Sequence, residues 1–216
     1  MLGLLTLTVA GCASWRSADA PMYTQTDASR CVVRADTLLV MLPGVYSHPD
    51  EFVREGFVQA VNDARLAVDV VRVDSHLNYY ERNTFVERLR QDVIAPAQAR
   101  GYRTIWIAGI SLGGFGGLVY AKEHPADVAG VVTLAPYLGE AAIWPWLNGY
   151  ADAAPGHPPL YLGYGTADRF ADPNGLLAAK LPPSQAFTTE GGHDWAPWLR
   201  LWKTMLPALP LPRCPG

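Results

Sequence analysis

The chain has 216 residues, half of them hydrophobic, enough for one domain with a substantial core. Its formal net charge is −3, so there is no basic field to hold nucleic acid or to bind an acidic membrane surface through charge alone.

The N-terminus comes first. Met1 to Ala10 is an uncharged apolar run, too short to span a bilayer and long enough for the hydrophobic part of a signal peptide. It ends in Val9-Ala10-Gly11-Cys12, which resembles the bacterial lipobox, although no Lys or Arg precedes the apolar run. That resemblance implies a signal peptide over 1–11 and a lipid on Cys12. Residues 12–30 are then a lipidated polar tether, and 31–216 the folded domain. Ala13 stands where an inner-membrane lipoprotein would have Asp, so the expected location is the cell envelope, at the outer membrane facing the periplasm. Membrane contact would be through this anchor only. With Cys12 set aside, Cys31 and Cys214 remain, and an even pair in an oxidising compartment reads as a disulfide. No His/Cys cluster has zinc spacing, so no metal site is expected.

Beyond the tether, strands and helices alternate without repeats. Thr37 to Leu42 reads as a strand. Pro49 to Ala64 reads as an amphipathic helix with Phe52, Val53, Phe57, Ala60 and Val61 inward. Leu66 to Val73 is a strand, and Arg82 to Arg100 a helix with Phe85, Val86, Leu89, Val93 and Ile94 on one stripe, kinked or ended by Pro96. Tyr102 to Ala108 is a buried strand, Gly114 to His124 a helix stopped by Pro125, and Val128 to Leu134 and Leu160 to Tyr164 are strands. A short helix around Gly175 to Lys180, a last strand at Gln185 to Thr188 and a C-terminal helix from Asp194 to Leu206 complete the pattern. Pro197 suits the first turn of that helix. Such alternation predicts an α/β fold: a doubly wound, mostly parallel sheet with helices on both faces and its functional loops at the strand carboxyl ends.

Between the strand ending at Ala108 and the helix from Gly114 lies Gly109-Ile110-Ser111-Leu112-Gly113. A serine on so tight a strand-to-helix turn is lifted above the sheet edge, and the flanking glycines avoid collisions with neighbouring strand and helix. An acid and a histidine that serve it should follow later strands in that order. Asp168 follows Leu160 to Tyr164, and His193 follows the last strand behind the pair Gly191-Gly192. Gly113, Gly114, Gly116 and Gly117 precede no Lys-Ser/Thr, so they read as close helix–sheet packing and not as a phosphate cradle, and no cofactor is expected.

With these motifs the sequence from Leu38 to Leu206 resembles the α/β-hydrolase superfamily. Gly191-Gly192-His193-Asp194-Trp195 is most similar to the esterase branch that includes S-formylglutathione hydrolases and enterobactin-type esterases. Little chain precedes Thr37, so the usual antiparallel first strands are short or absent, and the cap is minimal. The resemblance implies a Ser111–Asp168–His193 triad that cleaves a small-molecule carboxylic ester through an acyl-enzyme. The oxyanion would be held by the N–H of Leu112 and a second N–H from the turn Leu42-Pro43-Gly44-Val45-Tyr46. Val45 and Tyr46 are both open for that second role, with Gly44 allowing close approach.

Other readings stand beside these. Acyl transfer and thioester hydrolysis use the same triad, and a hydrolase fold kept only for binding is the non-enzymatic alternative. Asp172 competes with Asp168 or caps a helix; Asp194 caps the last helix. His48, His124 and His157 read as loop or surface residues, whereas His76, Tyr79 and Tyr80 can line a cleft mouth. Tyr137 to Pro159, with Trp144, Trp146 and Tyr150, is either a short cap or aromatic packing. A short cap implies open access and a small or water-soluble acyl substrate.

Overall fold

A computed structural model describes residues 16–216; Cys12, the signal peptide and the start of the tether lie outside them. Among the described residues, seven strands form one sheet: β1 (Thr24–Asp27), β2 (Thr37–Leu42), β3 (Asp69–Val73), β4 (Thr104–Ile110), β5 (Gly130–Leu134), β6 (Leu160–Gly165) and β7 (Ala186–Thr189). Their spatial order is β1-β3-β2-β4-β5-β6-β7, with β1 antiparallel to β3 and every other pairing parallel. The helices are α1 (Glu51–Arg54), α2 (Phe57–Asp63), α3 (Leu77–Glu81), α4 (Phe85–Leu89), α5 (Ala95–Ala99), α6 (Leu112–Glu123), α7 (Trp144–Asn148), α8 (Ala171–Ala178) and α9 (Trp195–Met205).

The strand period of two divides the apolar residues between two layers. Leu38, Val40, Leu42, Ile105 and Ile107 pack with Leu89, Ile94 and Leu118 on one face. Leu39, Met41, Trp106 and Ala108 pack with Phe57, Val61, Leu201 and Trp202 on the other. The doubly wound arrangement expected from the sequence is therefore present, with α1, α2 and α9 on one side and α3 to α8 on the other.

Four local expectations are corrected. Pro49 to Ala64 is not one helix: Gly56, at φ 84°, ends the first turn in the left-handed region and restarts the chain as α2. The change of phase turns Val53 outward, and it is 49% exposed. The stretch 82–100 begins only at Phe85 and is not ended by Pro96, since α5 runs on to Ala99. Arg90–Ile94 winds as a π-turn, whose extra width leaves room for the Pro96 ring where an α-turn would press it against the Asp92 carbonyl. The strand expected from Leu66 pairs regularly only from Asp69, and Leu66 instead bridges to Arg213.

The fourth concerns 16–30, expected as a loose tether. Here the chain is packed. Ala18 and Met22 are buried, and the Met22 N–H donates to Asp92 at 2.9 Å. The Tyr79 hydroxyl donates to the Ala20 carbonyl at 3.0 Å, and Arg16 pairs with Asp74. Arg72, 7% exposed, joins β1 to α1 by pairing with Asp27 at 2.7 Å and Asp50 at 2.9 Å. A buried guanidinium needs such partners, which explains why this polar sequence holds to the sheet edge.

Cys31 and Cys214 form the expected disulfide across a separation of 183 residues. Around it, the Cys214 N–H donates to the Arg65 carbonyl at 2.8 Å and the Ala67 N–H to Pro212 at 2.8 Å. The cross-link constrains almost the whole unfolded chain. Replacing both cysteines by serine is expected to remove about 2–5 kcal/mol of stability, read from urea unfolding of the oxidised protein and the double variant. Equal midpoints would contradict this.

Candidate active site

β4 delivers the chain to Ser111, whose backbone sits at φ 53°, ψ −115°, a strained conformation for a residue with a side chain. The surroundings hold it there: the Ser111 N–H donates to the Leu134 carbonyl at 2.9 Å, and the Ser111 carbonyl accepts from Phe115 and Tyr137, each at 3.0 Å. The elbow presses on β2 so closely that a Cβ at Gly113 would lie 2.2 Å from the Leu42 carbonyl oxygen.

Ser111, His193 and Asp168 meet at one place. His193 Nε2 is 2.9 Å from Ser111 Oγ, and His193 Nδ1 is 2.9 Å and 3.0 Å from the two Asp168 carboxyl oxygens. A carboxylate accepts hydrogen bonds and donates none. Nδ1 therefore donates to Asp168, and Nε2 faces the serine hydroxyl. Asp168 is fixed in turn, because its Oδ1 also accepts the Phe170 N–H at 2.8 Å. The imidazole stands edge-to-face between Phe170 and Trp198, with ring centroids 5.0 Å and 4.7 Å away. The glycine pair plays the expected part: Gly191, at φ 121°, turns the loop that carries His193. Neither aromatic clamp was legible as a site residue, since nothing in the sequence says which ring a helix start points at the histidine.

The competitors are elsewhere. Asp172 lies in the first turn of α8 and is not its N-cap, a position taken by Phe170; Asp194 caps α9, its Oδ1 accepting from the Trp195 N–H at 2.7 Å. For the second oxyanion donor, Val45 lines the cleft beside Ser111 and Leu112, whereas the Tyr46 side chain points away and is 80% exposed. Among the described residues the backbone N–H groups of Leu112, Val45 and Tyr46 have no acceptor in the chain, so both candidates for the second donor remain open. Gly44 lies beside the serine, where a Cβ would meet Ser111 Cβ at an ordinary 3.5 Å.

The cleft has a volume of about 640 Å³, within the range of small-molecule sites. Tyr137, Glu140, Ala142 and Ile143 form one wall, so the start of the expected cap does face the serine. Trp144, Trp146 and Tyr150 do not line it. They pack on the domain, with the Trp144 indole N–H donating to Leu138 at 3.1 Å, the Tyr150 hydroxyl donating to Pro158 at 2.9 Å, and His157 stacked on Trp146. Of the group expected at the cleft mouth, Tyr80 lines the cleft and Tyr79 is buried behind it. His76 rests on the Tyr79 ring, and its pKa is lowered from 6.5 to about 4, first by burial and then by the Arg16 charge. It is neutral at pH 7. Among the described residues no cluster of His, Cys, Asp and Glu could hold a metal ion.

No protein-family model matches this chain, and no curated protein matches its sequence. Solved structures do match it. S-formylglutathione hydrolase (FrmB) from Staphylococcus aureus is 19% identical with a TM-score of 0.59, over 80% of each chain. Est1E from Butyrivibrio proteoclasticus, solved with ferulic acid, is 15% identical with a TM-score of 0.62, over 86% of this chain and 92% of that one. A predicted CIB-like hydrolase from Thermoplasma acidophilum is 14% identical with a TM-score of 0.63, over 86% and 97%. The chain has the α/β-hydrolase fold.

Proposed function

We propose that this protein is a serine hydrolase that cleaves carboxylic esters of small molecules through an acyl-enzyme. The observation that carries the reading is the continuous hydrogen-bonded line from Ser111 Oγ through His193 to Asp168 at the carboxyl edge of the sheet. The esterases and lipases among the matched structures agree with it in kind.

In this reading His193 Nε2 takes the Ser111 proton as Oγ bonds to the ester carbonyl carbon. Asp168 holds the ring tautomer and stabilises the imidazolium. The carbonyl oxygen, now an anion, accepts from the free N–H groups of Leu112 and of Val45 or Tyr46; one such donor is typically worth about 2.7–4 kcal/mol in the transition state. Collapse expels the alcohol, which leaves with the proton from His193. Water then repeats the sequence on the acyl-enzyme and releases the acid. The test is turnover of p-nitrophenyl esters from acetate to palmitate by the wild type and Ser111→Ala. Ester turnover that survives the substitution contradicts the reading.

The same proposal places the protein in the bacterial cell envelope, lipid-anchored at Cys12, on the lipobox resemblance. Cys12→Ser is expected to move the expressed protein from the membrane to the soluble fraction and to abolish labelling by a palmitate analogue. Unchanged membrane recovery and labelling would contradict it.

A further inference from the structure

The helix that starts at the nucleophile is apolar on its open side as well as on its buried one, where Leu118, Tyr120 and Ala121 join the core. On α6 the buried side is largely glycine: Gly113 against β2, Gly114 against Pro136, Gly116 against Tyr80 and Phe85, and Gly117 against Ile107. The side left open carries Leu112, Phe115, Val119 and Lys122, of which the first three are only partly buried. Successive gaps of three, four and three residues put these four on one stripe. An open helix face is ordinarily polar, and an apolar stripe bordered by polar groups marks a place where something apolar binds. This stripe forms the floor of the cleft. Leu77, Tyr80, Ala142 and Ile143 line the same cleft. Lys122 ends the stripe, and Glu81, Asn83, Glu140 and Arg169 add polar groups to the lining.

We infer that this groove is the acyl site, and that the substrate is an ester of a medium-length unbranched fatty acid. The inference rests on the serine-hydrolase reading for its chemistry and specifies which esters are taken. The leaving oxygen must reach His193 Nε2, and neither His193 nor its neighbour Trp198 lines the groove, although Phe170 and Arg169 border it. Ser111, Leu112 and Val45 do line it, and in the hydrolase reading the Leu112 N–H faces the carbonyl oxygen. The arm lying in the groove is therefore the acyl chain. Ten residues of α6 separate Leu112 from Lys122, a rise of roughly 15 Å, about the length of an extended laurate group. Beyond that point a further methylene meets charged and amide groups instead of apolar walls. Val119 and Leu77 set the fit along the middle of the chain. This differs from the small acyl group that the short cap suggested: the chain is held by the floor of the cleft and needs no lid.

The experiment measures kcat/KM over two ester series, one varying the acyl chain on p-nitrophenol and one varying the alkyl chain of acetates. It also measures binding of laurate to Ser111→Ala by calorimetry. Each buried methylene is expected to raise kcat/KM by roughly four-fold in the acyl series, levelling near laurate, with a much flatter alcohol series. Val119→Trp, and independently Leu77→Trp, are expected to truncate the rise at butyrate to hexanoate, read as the laurate-to-acetate ratio within each variant. In the Ser111→Ala background the same changes should abolish laurate binding. Two tryptophan variants from different helices guard against one failing to fold. A flat acyl series with ester turnover intact overturns this inference and leaves the hydrolase reading standing, as does a rise confined to the alcohol series. Absent turnover with laurate binding lost in both tryptophan variants supports the groove and overturns the hydrolase reading. Laurate binding indifferent to both variants overturns the groove.

Discussion

Ser111→Ala lowers kcat on a p-nitrophenyl ester by roughly four to six orders of magnitude and leaves the folded protein intact. The size follows from the geometry. Ser111 Oγ is the only atom removed, and it is the one that His193 Nε2 faces at 2.9 Å. On the proposed mechanism the imidazole can then still activate a water and the proposed N–H donors can still hold an oxyanion, so a residue of catalysis over solvent is expected to survive. The fold is expected to be indifferent because the hydrogen bonds that fix the elbow are made by the Ser111 backbone, to Leu134, Phe115 and Tyr137. Alanine keeps all three. The midpoint of chemical unfolding should move by less than about 0.5–1 kcal/mol. His193→Ala in the Ser111→Ala background should cost little more, since the groups act as a unit. Wild-type turnover in the single variant would remove Ser111 from the chemistry.

Gly113→Ala is expected to do the opposite, destroying stability first and activity as a consequence. Its Cβ would lie 2.2 Å from the Leu42 carbonyl oxygen, 2.5 Å from the Leu42 carbonyl carbon and 2.5 Å from the Pro43 oxygen. All three are backbone atoms at the end of a central strand, with no rotamer by which to move aside. Relief requires β2 and α6 to separate, which also opens the gap between Val45 and Leu112. The expected loss is about 3 kcal/mol or more, by urea unfolding, at the upper end of what overpacking costs. Gly44→Ala supplies the comparison, because its nearest neighbour is at 3.5 Å and it should unfold within about 1 kcal/mol of the wild type. If Gly113→Ala is as stable as Gly44→Ala, the elbow does not press on β2 as described.

The order of the catalytic constellation was legible because it depends on chain direction alone. In a parallel sheet every strand carboxyl end reaches one edge, so a serine, an acid and a histidine that each follow a strand must arrive together. The choice of Asp168 over Asp172 was also legible, since only the former directly follows β6. What the sequence concealed was how faces are shared. The glycines of α6 read as close helix–sheet packing and are packed so, but no local pattern said that Leu112, Phe115 and Val119 would face a cleft. Trp144, Trp146 and Tyr150 raised the opposite ambiguity, and packing resolved it against the cleft. The docked segment before β1 was hidden for a further reason. Its attachment depends on Arg72 and Asp92, which lie 45 and 70 residues away from their partners Asp27 and Met22, and no local pattern signals such a pairing.

That docked segment fixes how the molecule meets a solid support. Arg16 reaches Asp74, just beyond the carboxyl end of β3 and on the same edge as Ser111; Cys214 is bonded beside Arg65, ahead of the amino end of that strand. The two described extremities therefore leave from opposite rims of the sheet. A bead or sensor surface coupled through residue 216 leaves the cleft facing solution. The same surface coupled just ahead of Arg16 brings the cleft mouth against it, so substrates carried in an adsorbed film are favoured over those dissolved in the buffer.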